Sequence, residues 1–325
     1  MWLSDGGCSL TVKDAWGLSS PEASMAVVVG KLKNCGDKLL SWSCQSFGNI
    51  KRSIDMNSKR LNRAELDAAK GKGDANLIWT LKTKLNDLLD KESQMWHQRL
   101  RTLFLKEGDR NTRYFHSKTT QRFCRNKILG LRNKSNVWCS EDSQIKEIAT
   151  HYYRAMFSTS HPTEIDAVLH ISPSVTQEMN DQLLRPFSWN EVESAMNQME
   201  PVTAPGPDGM PLLFYQSFWS LVGDEVCSAV LDCLNNCKIL DVINHTNITL
   251  IPKVKSLENI TEFRPISLCN VVYKLISKVL ANRLKMVLPA VVSENQSAFQ
   301  AGRVITDNVL MAFETLHFMK NHQSG

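Results

Sequence analysis

The chain runs Thr246-Asn247-Ile248-Thr249-Leu250-Ile251-Pro252-Lys253 and then Phe263-Arg264-Pro265-Ile266-Ser267-Leu268. β-Branched and aromatic residues favour extended backbone, and Pro265 keeps Arg264 out of the helical region, so the two runs predict a long-looped β-hairpin. Lys253 and Arg264 then stand on two strands of one hairpin. From there they can converge on a phosphate, Arg as a bidentate fork and Lys as a point charge. The competing reading is two solvated hairpin charges. Directly after comes 270–288, where Val271, Leu275, Val279, Leu284 and Val287 form one face and Lys274, Lys278 and Lys285 another. That spacing predicts an amphipathic helix.

Downstream, Val309, Phe313 and Leu316 repeat the helical period over about 306–319. Upstream, Ala204-Pro205-Gly206-Pro207-Asp208-Gly209 sets fixed and permissive backbone positions side by side, a rigid loop before an aromatic helix over 212–219. Ser188-Trp189-Asn190-Glu191 has the form of a capping box opening a helix to about 200. A helix is expected over 142–157, preceded by a small hairpin of 127–131 and 137–139 turning through Asn133–Asn136. Earlier still, helical patterns cover about 25–70 and 75–106, parted by Lys70-Gly71-Lys72-Gly73-Asp74, and read as an antiparallel pair. Residues 1–24 show little periodicity and read as a spacer or tail. A boundary is placed near 160, giving a basic helical region over 25–160 and a second unit over 161–325.

Charge is distributed unevenly. The whole chain carries 38 Lys and Arg against 33 Asp and Glu, yet residues 31–134 hold 24 basic against 10 acidic residues. Such asymmetry points to a polyanionic partner, nucleic acid first, against the plainer reading of solvated helix faces. Within the basic segment, Arg99, Arg101, Arg110, Arg113, Tyr114, Phe115, Lys118, Arg122 and Arg125 interleave cations with rings, a pattern that suits phosphates and stacked bases of a single strand. Binding of that kind is salt-sensitive, log K falling by ~0.7 per phosphate neutralised.

The 325 residues, 42% hydrophobic, are globular in composition. No apolar run approaches the ~20 residues of a membrane span, and no signal peptide is visible. Nine scattered cysteines without a C-x-x-C pair suggest reduced, mostly buried thiols. G-x-S-x-G, H-E-x-x-H, Walker A and G-x-G-x-x-G are all absent. Asp208 and Asp307 alone among the acids stand in strongly patterned contexts, and both read first as capping or loop residues.

Further ordered stretches are Trp96-His97-Gln98-Arg99, Leu105-Lys106-Glu107-Gly108-Asp109-Arg110-Asn111-Thr112, Leu280–Leu284, Glu294-Asn295-Gln296-Ser297-Ala298-Phe299 and Gly302–Asn308. Together with the Ala204–Gly209 loop and Ile251-Pro252-Lys253 with Phe263–Asn270, they carry a resemblance. From Trp96 to Lys320 the chain resembles the front half of a reverse transcriptase from plant LINE-type non-LTR retrotransposons. Gln300-Ala301 and Thr203 depart from the family pattern.

The resemblance implies an α+β, predominantly helical fold: an incomplete right-hand polymerase, fingers and partial palm, preceded by the basic helical region. It implies that Lys253 and Arg264 hold the triphosphate of an incoming nucleotide, with Arg303 and Asn308 near the nucleotide or template. Pro205, Gly206, Asp208 and Gly209 would guide template RNA. For the complete family enzyme it implies Mg2+ and dNTPs, an RNA template, a DNA primer and nuclear residence. The family's catalytic palm aspartates are not met within the 325 residues, so the expectation is RNA binding without catalytic or metal-binding residues of its own, hence no cofactor and no primer extension alone. Two other readings stay open: a non-catalytic module binding RNA or single strands, and a decayed retroelement product whose Val271, Leu275 and Val279 lack partners.

Overall fold

A computed structural model describes residues 2–18, 24–100, 112–160, 174–254, 257–293, 296–297 and 302–321. The chain is α+β and predominantly helical, with two separate two-stranded antiparallel sheets among the described residues. In order come α1 (Gly6–Trp16), α2 (Met25–Ser46), α3 (Ile50–Ala69), α4 (Ala75–Leu100), α5 (Thr112–Asn126), β1 (Leu131–Arg132), β2 (Trp138–Cys139) and α6 (Asp142–Met156). Then follow α7 (Gln177–Leu184), α8 (Trp189–Asn197), α9 (Leu212–Ser217), α10 (Trp219–Asn236), α11 (Asp241–Asn244), β3 (Asn247–Pro252), β4 (Phe263–Leu268), α12 (Val271–Val291) and α13 (Ile305–Asn321).

The main core is built by α1, α2, α8, α9, α10 and α12, and so draws on both sides of residue 160. Along α10, Val222, Val226 and Val230 recur every fourth residue with Cys227, Cys233 and Leu234 beside them, and all are buried. Each such side chain removed from water contributes about 1.5–3 kcal/mol. On α12, Val271, Leu275 and Val279 are buried in this core, so they do have partners. Lys31 ties α2 to α10 through a 2.7 Å ion pair with the fully buried Glu225, and its ammonium also sits over the Trp16 ring.

Three elements differ from the sequence reading. Residues 6–16, read as aperiodic, form a helix whose Cys8, Val12, Ala15 and Trp16 enter the core. Two glycines open it and weaken its intrinsic propensity, and packing against α2 supplies what propensity does not. The pattern over 25–70 is two helices, because Gly48 takes φ +50° and Asn49 accepts the Arg52 N–H at 3.0 Å to start α3 afresh. On α12 the expected apolar position Leu284 is 48% exposed, while its neighbour Arg283 is buried.

Arg283 is satisfied on every side. It forms an ion pair with Glu191 at 2.6 Å, donates to the carbonyls of Leu183, Arg185 and Pro186, and stacks 3.5 Å from the Phe187 ring centroid. Glu191 also accepts the Ser188 N–H at 2.8 Å, the capping-box bond the sequence predicts. The guanidinium holds the Glu191 carboxyl down to about 2, burial opposing it. This cluster fastens α7 and α8 to α12.

A second, smaller core lies under the long hairpin. Leu131 and Tyr153 meet Ile260 and Phe263, with Ile128, Ile145, Ile148, Tyr152, Leu250 and Leu257 packed around them. At its edge Arg132 and Glu258 form a 2.6 Å ion pair, and the Arg132 N–H donates to the Glu258 carbonyl at 2.7 Å.

Candidate nucleotide and nucleic-acid interface

The predicted long hairpin is present, and its register decides where its two cations stand. β3 and β4 pair antiparallel with Ile251 opposite Arg264 and Pro252 opposite Phe263. Side chains alternate along a strand, so Arg264 shares the face of Ile251, and Lys253, two residues on, falls on that face too. Phe263 points to the other face and into the second core. Burial of Phe263 thus fixes which side of the hairpin carries the charges.

Lys253 and Arg264 are exposed. The Lys253 ammonium donates to the Thr261 carbonyl at 2.7 Å, and its N–H donates to the Glu262 carbonyl at 2.9 Å. Among the described residues the Arg264 guanidinium makes no ion pair. Glu262 holds the loop behind them by accepting the Glu258 and Asn259 N–H groups at 2.7 and 3.0 Å, bonds that lower its carboxyl pKa. Asn259-Ile260-Thr261-Glu262 has capping-box form, the one local sequence signal for this clasp.

Helix α5 packs against both α4 and β3, which brings the basic segment beside the hairpin. Arg122 and Arg125 are exposed on it, and Phe123 between them is 71% exposed. Arg101 and Arg110 lie outside the described residues, as do the side chains of Arg99, Arg113, Tyr114, Phe115 and Lys118.

The Ala204–Gly209 loop is seated on the start of α12. The Lys274 ammonium donates to the Ala204 carbonyl at 2.7 Å, and the buried Asn270 accepts the Asp208 N–H at 3.2 Å. A Cβ on Gly206 would lie 2.4 Å from the Asn270 backbone nitrogen, closer than any side-chain atom can come. Gly209 takes φ +70° to close the turn onto Gly206. Asp208 accepts the Met210 N–H at 3.2 Å, and although it is exposed at the rim, crowding from below raises its pKa. Pro205 is exposed at the tip of this loop.

Arg303 and Asn308 each bond back to residues that precede α13. Arg303 donates to the carbonyls of Ser293 and Gln296 at 2.6 and 2.8 Å, and the Asn308 amide donates to Ser297 Oγ at 3.0 Å. Asp307 accepts the Val304 N–H at 3.0 Å, acting as the cap the sequence suggests. These bonds tie the end of α12 to the start of α13. Helix α13 itself is exposed throughout, Phe313 to 67%. Among the described residues no three His, Cys, Asp or Glu side chains gather as cation ligands, and no helix is long and apolar enough to cross a membrane.

Residues 251–325 match the reverse transcriptase (RNA-dependent DNA polymerase) family. The matched segment opens on the Ile251-Pro252-Lys253 strand end and contains the paired cations. The chain is also 25% identical over 328 residues to the Transposon TX1 uncharacterized 149 kDa protein of Xenopus laevis, an alignment covering 98% of this chain and 25% of that protein. The chain thus spans about a quarter of the length of that relative. The reverse transcriptase match and the transposon relative agree with each other, and the alignment to the relative reaches through α1–α6 as well.

Proposed function

We propose that this chain is the fingers-side portion of a reverse transcriptase from a LINE-type non-LTR retrotransposon of the plant kind. In this reading Lys253 and Arg264 receive the triphosphate of a nucleotide, and the α5 surface with the Pro205–Gly209 loop tracks RNA template paired to a DNA primer. Arg303 and Asn308 support the nucleotide side by fixing the segment between α12 and α13. Mg2+ and dNTPs serve the completed enzyme, which works in the nucleus. The observation that carries the reading is that Lys253 and Arg264 share one face of a hairpin and both fall inside the reverse transcriptase match.

The chemistry follows from the hairpin. A phosphate on this face takes the free Arg264 fork, and Lys253 exchanges a single carbonyl for an anion. Each charge-assisted bond contributes about 1.5–3 kcal/mol, so losing one weakens binding roughly 10- to 100-fold. The 325 residues alone are proposed to bind nucleotide and template without extending a primer.

The test is equilibrium titration of dTTP with magnesium against the full chain and its Lys253→Ala/Arg264→Ala variant, alongside primer extension on an RNA template. Expected are a loss of at least tenfold in dTTP affinity and no extension product. Equal dTTP affinity in both proteins would overturn the nucleotide role of the pair, and clear extension would overturn the assignment of polymerisation to residues outside this chain.

A further inference from the structure

Helix α3 pairs with α4 along one side only. Its buried residues Ile50, Asn57 and Leu61 face α4. At 100° per residue, Arg52, Met56, Lys59 and Arg63 fall on the opposite side, with Arg60 on its flank, and all five are exposed. Met56, Lys59, Arg60 and Arg63 line a shallow depression of about 240 Å3.

The charges on this helix are not equally compensated. Lys59 is paired with Asp55 at 2.8 Å, and on the α4 side Lys82 is paired with Glu65 at 2.9 Å. Among the described residues the guanidinia of Arg52, Arg60 and Arg63 make no ion pair, with the exposed Asp67 the remaining acid of the helix. Three arginine forks therefore project from one rigid rod. From Arg52 to Arg63 the rod spans about 16 Å at ~1.5 Å per residue.

We propose that this arginine strip is a second nucleic-acid site, separate from the hairpin and α5, and that it takes the phosphate backbone of a duplex. Two features select a duplex. The strip offers no aromatic ring, only Met56, so it lacks the stacking platform that single strands use, which α5 has in Phe123. Forks spread over about 16 Å of one rigid helix also match the dense, stiff line of phosphates on a double helix, about one charge per ~1.7 Å of axis. Such contacts position the duplex and carry no sequence preference. The strip stands whether or not the reverse transcriptase reading does.

The test is salt-dependent binding of the full chain to a blunt RNA duplex, to a DNA duplex of the same sequence, and to an unstructured uridine single strand. In Arg52→Ala/Arg60→Ala/Arg63→Ala, duplex affinity is expected to fall about tenfold or more. The slope of log K against log salt is expected to flatten by about 2.7, at ~0.9 per phosphate for three forks. Single-strand binding is expected to hold, and the duplex that loses more identifies which of the two is the source. The all-lysine counterpart keeps the slope, since charge is retained, and Arg60→Ala alone lowers it by about 0.9. Unchanged affinity and slope on both duplexes with helicity retained would overturn the site, and so would an equal loss on the single strand.

Discussion

Replacing Arg283 with Met removes a single buried cation and leaves several groups stranded at once. Glu191 loses the guanidinium that holds it down, and the carbonyls of Leu183, Arg185 and Pro186 lose their donor. Breaking a buried pair by deleting one partner costs about 3–5 kcal/mol, because the remaining charge stays desolvated. The acid side gives an independent measure. Glu191 is lowered from 4.5 to about 2 with its side chain 26% exposed, and at ~1.4 kcal/mol per pH unit that difference amounts to about 3 kcal/mol. Since the folded carboxyl has the lower pKa, this stabilisation is fully present above about 4.5 and is lost as pH falls toward about 2. Urea unfolding of wild type, Arg283→Met and Glu191→Gln between pH 7 and pH 2.5 measures both terms. Both variants should be less stable at pH 7 and should lose less than wild type on acidification. A Glu191→Gln protein with the wild-type pH slope below 4.5 would refute the reasoning.

Gly206→Ala should destabilise by about 1–3 kcal/mol, the usual cost of overpacking, because the new Cβ lies 2.4 Å from backbone rather than from a mobile side chain; the urea midpoint reads it. Phe263→Ala should cost about 3–5 kcal/mol locally, seen as faster amide exchange over 247–268 while the α10 amides stay protected.

The hairpin of 247–268 and helix α12 were legible because their signals are local: β-branched runs, a proline that constrains its neighbour, and apolar spacing near 3.6. Helix α10 carries the same period in Val222, Val226 and Val230, but it follows the aromatic run of 212–217 after a single residue, with no breaker to mark a second helix. Arg283 could not be found from pattern alone. Its burial depends on three carbonyls and a carboxylate brought to it from about 90 to 100 residues away. The same holds for α1, whose glycines argue against a helix until α2 covers it. In the candidate site, the residue types of Lys253 and Arg264 announced phosphate chemistry, but their common face is fixed by Phe263 entering a core that also needs Leu131 and Tyr153. Arg303 and Asn308 show the converse, residues chosen by likeness whose bonds in this fold close a loop.

The ion pair of Arg132 with Glu258 joins positions 126 residues apart, and its consequence lies in the order of synthesis. When Leu131 and Tyr153 leave the ribosome, the residues that cover them have not been made. At ~5–20 residues per second the half-built module waits several seconds or longer for Ile260 and Phe263. During that interval its apolar underside is open to chaperones and to other nascent chains, and α5 has no strand to lie against. The hairpin therefore completes the small core and seats the basic helix in a single late event.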